Sequence, residues 1–169
     1  MSSKSPIIVV SGEPNSVFLE IFFKSIKKKI KSPLILISSS NIVKTQMKKF
    51  KHKFKINIIT KYDVLNKNLN NKQINLIDIY YNRSKKNNYI NNCFKIAFEI
   101  LKKHKLTKFI NGPINKKNFL NKNYLGMTEY ISEKFNIKNN AMLIYNEKLS
   151  VCPVTTHLPL KQVSKKITK

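Results

Sequence analysis

Four short polar segments hold the residues whose types could do chemistry: Gly12-Glu-Pro-Asn-Ser16, Asn111-Gly-Pro-Ile-Asn-Lys116, Gly126-Met-Thr-Glu129 and Thr155-Thr-His-Leu-Pro159. All three glycines of the chain fall in this set. A sequence so poor in glycine keeps it where the backbone turns tightly or comes close to a ligand, although any left-handed turn needs the same residue. His157 is the most suggestive single side chain. A neutral imidazole at a strand's carboxyl end is a good ligand for a divalent metal, and a loop histidine bonded to nearby backbone would look the same in sequence. No second His, Cys or carboxylate stands at metal-ligand spacing from it, so local sequence does not contain a complete site. Lys116 could meet an anionic substrate as a point charge, or be one more of the 32 lysines. Thr128 and Glu129 suit substrate contacts and, equally, the cap and first turn of a helix. Glu13 could be catalytic, and its setting favours a turn carboxylate. His52 and His104, among lysines at helix ends, read as surface residues.

The elements that must position these groups follow from hydrophobic periodicity. Pro6–Ser11 is a β-branched run ending at Gly12, which predicts a buried strand meeting a turn. Phe18, Ile21, Phe22, Ile26 and Ile30 recur at helical spacing, with Ser16 or Asn15 as a cap and Pro33 as the stop. Further strands are expected at Leu34–Ile37, Lys55–Ile59, Leu76–Tyr80 and Lys108–Asn111. Helices are expected from Ser38–Asn41 to about Phe50, over Ile90–Leu101 with a Glu99–Lys103 pair, over Thr128–Phe135, and from Leu160 to Ile167. Ala141–Tyr145 and Ser150–Val154 are two more strand candidates, and the second would carry His157 at its end. Residues 61–73 are Asn-rich and read as a loop. Strands alternating with helices imply an α/β fold with a mostly parallel sheet flanked by helices, whose ligands gather beyond the carboxyl ends of the strands.

Composition excludes several classes. The chain has 169 residues and 41% hydrophobic content, too apolar for a disordered polycation and enough for one sizeable core. No apolar stretch approaches the ~18–20 residues of a membrane span, and the amino terminus lacks a signal-peptide core. Cys93 and Cys152 read as reduced, buried thiols, so the expected location is cytoplasmic. A net charge of +25 raises nucleic acid as a partner. Against it, Arg83 is the single arginine, and bidentate phosphate or guanine contacts favour the fork that Lys lacks. Lys, Asn and Ile make up 77 residues and share A/T-rich codons, so a biased genome could produce this composition.

Asn111-Gly-Pro-Ile-Asn-Lys116, then Gly126-Met-Thr-Glu-Tyr130, then Val154-Thr-Thr-His-Leu-Pro-Leu160 resembles the 4-hydroxythreonine-4-phosphate dehydrogenase family of vitamin B6 biosynthesis, in order and approximate spacing. The opening strand–Gly12-Glu-Pro14–helix resembles the family's strand–Gly-Asp-Pro–helix. The resemblance implies a fold like that of isocitrate and isopropylmalate dehydrogenases. It implies a cytoplasmic homodimer that uses NAD and a divalent metal (Zn, Mg or Co) on a phosphorylated small-molecule substrate, 4-phosphooxy-L-threonine. The alcohol becomes a 3-oxo acid, which decarboxylates to 3-amino-2-oxopropyl phosphate in pyridoxal 5'-phosphate biosynthesis. By the same resemblance His157 is a metal ligand, Thr128 binds substrate, Met127 stands where the family has a substrate-binding histidine, and Lys116 is a motif residue. The family's chain is about twice as long. Residues 1–169 are therefore expected to be the N-terminal portion of a two-domain enzyme, truncated and inactive without its C-terminal half, where most cofactor contacts lie. The alternatives are a dehydrogenase for another phosphorylated hydroxy acid such as erythronate or threonate phosphate, a basic RNA-binding module, and a non-catalytic remnant.

Overall fold

The computed structural model describes residues 5–120, 124, 126–155 and 158–167, apart from the side chains of 117, 118 and 166. The chain divides into two compact units, Met1–Phe119 and Leu120–Lys169.

The first unit is built on a parallel sheet. Its strands are β1 (Ile7–Val10), β2 (Leu34–Ser38), β3 (Ile56–Ile58), β4 (Ile74–Asp78) and β5 (Phe109–Asn111), in the order β3-β4-β2-β1-β5. All four ladders are parallel, with Val9 opposite Leu36 and Ile110, and Leu36 also opposite Leu76. β2 sits at the centre, and all five of its residues are buried. That is why it reads as a continuous apolar run rather than an alternating one. Truncating Leu36 to Ala there should cost about 2–5 kcal/mol. β5 is short and less covered, with Ile110 exposed.

Three principal helices flank the sheet: α1 (Phe18–Ser25), α2 (Ser40–Lys49) and α3 (Lys86–Lys103), and a single turn, α4 (Lys116–Phe119), follows β5. The steps β1 to β2 and β2 to β3 cross the sheet one way, and β4 to β5 crosses back. Right-handed crossovers therefore put α1 and α2 on one face and α3 on the other. In keeping with this, α1 packs on α2, while α3 packs on β1 and β2. Tyr89, Ile90, Cys93, Phe94, Ala97, Phe98, Ile100 and Leu101 form the buried stripe of α3.

Several local expectations are corrected. α1 is shorter than its apolar spacing suggested, and Ile21 is exposed. β4 lies two residues earlier than expected. Glu99 pairs with Lys61 at 3.0 Å across the fold rather than with Lys103, whose ammonium lies 4.5 Å from the Tyr62 ring centre. His52 is half-buried in a three-ring cluster with Phe23 and Phe54, at 5.5 and 5.9 Å. The Asn-rich loop is tied down. Asn71 accepts from Leu34 N at 2.8 Å and donates to the carbonyls of Ile30 and Ser32, fixing the turn into β2.

The second unit contains α5 (Met127–Lys134) and α6 (Leu160–Lys166). The two strand candidates between them are not strands. Ile144 and Val151 make one antiparallel bridge, and Leu143, Ile144, Tyr145, Leu149 and Val154 are exposed. Cys152 is exposed as well, against expectation, because the run that carries it joins no sheet.

Candidate functional site

β1 and β5 are neighbours, so their carboxyl ends deliver Gly12 and Gly112 to one place. Gly112 N donates to Val10 O at 2.8 Å, and Glu13 N donates to Pro113 O at 2.8 Å. Gly12 has φ +70°, and a Cβ on it would lie 2.3 Å from Pro113 O. A Cβ on Gly112 would lie 2.2 Å from Ser11 O. The glycines thus serve a close approach of two loops of the protein itself, main chain against main chain.

Glu13 fastens the same junction. One carboxylate oxygen accepts from Asn115 N at 3.2 Å, and the other pairs with Lys86, the first residue of α3. Its side chain is only 16% exposed, which fits the structural reading of a turn carboxylate. Lys86 was not visible in sequence among so many lysines. Lys116 begins α4 and is exposed, free to project its charge into solvent or onto an anion.

Beneath the rim lies a polar knot that sequence reasoning missed. Ser11 Oγ donates to Ser38 Oγ at 2.9 Å. The Tyr89 hydroxyl accepts from Ser39 N at 3.1 Å and lies 3.1 Å from Ser38 Oγ and 3.4 Å from Ser11 Oγ. One phenol therefore joins the ends of β1 and β2 to α3. Burial pushes the Tyr89 hydroxyl up to about 12 and the Cys93 thiol, one turn further along, up to about 12. A thiol held neutral in this way is a packing group rather than a nucleophile. The one signal was a tyrosine on an otherwise apolar helical stripe, since a buried hydroxyl requires a partner.

The amino end of α2 also differs from expectation. The serines before it supply no side-chain cap. Instead Asp78, the last residue of β4, accepts from Ser40 N at 2.7 Å, placing a carboxylate at the positive end of the helix.

In the second unit Gly126 is the residue before α5, and it is extended without a side-chain cap. Met127, Thr128 and Glu129 form the first turn and are each half-buried. Thr128 is therefore a helical residue and not the cap. Glu129 Oε2 is buried without a hydrogen-bond partner among the described residues. Tyr124 donates to Glu133 at 2.5 Å, and that bond raises the Tyr124 pKa. His157 lies outside the described residues, and the strand expected to lead to it is not formed. Among the described residues no three His, Cys, Asp or Glu side chains gather as metal ligands, so the metal implied by the motifs finds no ligand set there. No described helix is long and apolar enough to cross a membrane.

The sequence model of the family "Pyridoxal phosphate biosynthetic protein PdxA" matches residues 29–169. A 4-hydroxythreonine-4-phosphate dehydrogenase of Sulfurihydrogenibium sp. (strain YO3AOP1) is 27% identical over 179 residues, covering 96% of this chain and 53% of that protein. The chain spans about half the length of this curated relative. Among solved structures, a 4-hydroxythreonine-4-phosphate dehydrogenase of Klebsiella pneumoniae superposes with a TM-score of 0.76 at 21% identity, over 99% of this chain and 55% of that one. One from Burkholderia phymatum gives 0.75 at 19% identity, over 96% and 53%. At these identities the structural likeness establishes the fold, and the sequence model establishes the kinship.

Proposed function

Since this chain belongs to the pyridoxal phosphate biosynthetic protein PdxA family, we propose that it supplies the N-terminal portion of an NAD-dependent dehydrogenase acting on 4-phosphooxy-L-threonine. The observation that carries the reading is the ordered trio of motifs at Asn111–Lys116, Gly126–Tyr130 and Val154–Leu160, the first of which follows β5 where the Gly12–Gly112 contact fixes the carboxyl-end loops. When bound, a nicotinamide would accept the hydride and a divalent metal, held in part by His157, would polarise the alcohol oxygen. The 3-oxo acid so formed loses carbon dioxide to leave 3-amino-2-oxopropyl phosphate.

Within this reading Thr128 offers a hydroxyl that both donates and accepts. Met127, in the position of the family's histidine, offers neither a proton nor a donor. Lys116 meets the phosphate as a point charge. His157 is assigned to the metal on its motif alone. One imidazole cannot complete a coordination sphere, so further ligands must join it. The exposed apolar residues between 142 and 154 suit burial against further polypeptide or a second subunit, in line with a homodimer.

The test is NADH formation from 4-phosphooxy-L-threonine with divalent metal present. The chain alone should give none, and the chain supplied with the C-terminal half of a relative should turn over. Turnover by the chain alone would refute the half-enzyme assignment. In the reconstituted enzyme His157→Ala should weaken metal affinity, and an unchanged affinity removes His157 from the site. Met127 favours a second reading, a dehydrogenase for erythronate or threonate phosphate, and a substrate panel on the same preparation separates the two.

A further inference from the structure

The amino-terminal edge of the sheet, opposite the edge that carries the Gly12 and Gly112 loops, is a pole of positive charge within the first unit. Because all four ladders are parallel, every segment that leads from a helix into a strand arrives at this edge. Lys27–Lys31 runs toward β2, Lys48–Lys55 into β3 and Lys102–Lys108 into β5. Main-chain bonds from Ile7 N to Pro33 O, from Ile74 N to Lys55 O and from Ile8 N to Lys108 O tie their ends to the sheet. The three segments hold 13 of the chain's 32 lysines, every one exposed, and no Asp or Glu. β3 and β5 are the outermost strands and β2 is the middle one. The charge therefore extends across the sheet, roughly 19 Å at the usual strand spacing. A small anion would meet one part of it, whereas a chain of phosphates can follow all of it.

Helix dipoles and codon bias do not account for the pattern. A cation favours a helix carboxyl end only within the last turn, and Lys29, Lys31, Lys53, Lys55 and Lys108 lie past it. Lys51 and Lys105 have φ of +54° and +51°, in the left-handed region that favours Gly or Asn. Asn shares the A/T-rich codons and serves at Asn136, with φ +55°, yet both such positions at this edge carry lysine.

Rings are interleaved with the charge. Lys49-Phe-Lys-His-Lys-Phe-Lys55 alternates exposed lysines with half-buried rings, and the Lys27 ammonium lies 6.0 Å from the Phe54 ring centre. On the α3 side Tyr62 is 66% exposed, with the Lys103 ammonium 4.5 Å from its ring centre. It lines a cavity of about 420 Å³ together with Ile100, Lys102 and Lys103, where the carboxylate of Glu99 is taken by Lys61. Lysines that track a backbone and rings that stack on bases are how single strands are held without sequence preference. Such binding needs no guanidinium fork, so the single arginine is no obstacle to it. Of the described residues in the three segments, none is an exposed large apolar side chain, so this edge has nothing to insert into a bilayer.

We propose that this edge binds single-stranded RNA, with phosphates along the three lysine segments and a base on Tyr62. RNA is the nucleic acid whose protein targets are chiefly unpaired loops, bulges and ends. The edge lies across the sheet from the Asn111–Lys116 motif, and its binding does not rest on the dehydrogenase reading.

Fluorescence anisotropy of a labelled oligouridine of about 16 nucleotides, titrated with the full chain, reads the affinity. Saturable binding is expected. With about five phosphates met, it should weaken about a hundredfold between about 50 and 200 mM salt. The triple variant Lys29→Gln, Lys53→Gln, Lys108→Gln takes one lysine from each segment. It should bind at least about tenfold more weakly, with a salt slope shallower by about 2. Lys44→Gln, Lys85→Gln, Lys95→Gln removes the same charge from elsewhere on the first unit and should change binding less than about threefold. Tyr62→Ala should weaken oligouridine binding about tenfold and leave the binding of inorganic polyphosphate unchanged, which separates stacking from charge. The proposal is overturned by non-saturating binding, by equal losses in the two triple variants, or by a Tyr62→Ala protein that binds oligouridine as well as the parent. It is also overturned by tighter binding of oligothymidylate DNA or of duplex RNA of the same length, or by phosphatidylserine vesicles that displace oligouridine at equal anionic charge.

Discussion

Replacing Tyr89 with Phe removes one oxygen and leaves the ring, its edge contact with Tyr81 at 5.1 Å between ring centres, and the shape of the α3 stripe. What is lost is an acceptor for Ser39 N and a partner for the Ser38 and Ser11 hydroxyls. The two serines still bond each other at 2.9 Å, so the main injury is a buried N–H without an acceptor. That costs about 1–3 kcal/mol, or roughly 2–12 °C in Tm for a chain of this size. Tyr62→Phe is the control, because Tyr62 is 66% exposed and should change stability by less than about 0.5 kcal/mol. Urea unfolding followed by far-ultraviolet circular dichroism gives both values. If Tyr89→Phe matched Tyr62→Phe, the phenol would not be holding the ends of β1 and β2 to α3, and the account of the rim would fail.

Burial raises both Tyr89 and Cys93 to about 12, from ordinary values of 10.0 and 9.0. The folded protein therefore keeps protons that the unfolded chain gives up, so their contribution is full below about pH 9 and declines as pH rises from 9 to 12. Cys93→Ala should move the onset toward 10, and the difference between the two proteins' urea midpoints across this range isolates the thiol from the titrating lysines. Gly12→Ala forces a Cβ to within 2.3 Å of Pro113 O at φ +70°; it should cost at least about 2 kcal/mol, and a melting curve unchanged from the parent would contradict the main-chain contact. Asp78→Ala removes the acceptor at Ser40 N and should cost about 1 kcal/mol, read as a lower urea midpoint. Glu99→Gln breaks the half-exposed pair with Lys61 and should change stability by no more than about 0.5 kcal/mol.

The strands and helices that were legible are those whose burial is settled by near neighbours in sequence. β1 and β2 are apolar runs because both faces are covered, and α3 carries its stripe at strict helical spacing. The strand expected over Ala141–Tyr145 was misread because a short apolar run looks the same whether a sheet receives it or it lies exposed. Glu99 shows the same limit, since its partner Lys61 is 38 positions away and nothing local favours it over Lys103. At the site, glycine scarcity pointed correctly to Gly12 and Gly112 but not to their purpose, which depends on β1 and β5 being adjacent. Ser11, Ser38 and Tyr89 are ordinary residues until the fold brings them together, and Asn71 was indistinguishable from the compositional excess of asparagine around it.

Two loops that touch through carbonyls and α-carbons define a surface by shape before any functional group is added. Side chains around them, such as that of the exposed Asn15, can be exchanged without reshaping the ground on which they stand. The tolerance narrows at Glu13, whose carboxylate fastens the junction, and ends at the two positions that have no side chain. Drift in specificity at this rim is therefore open to most of its residues and closed to its glycines.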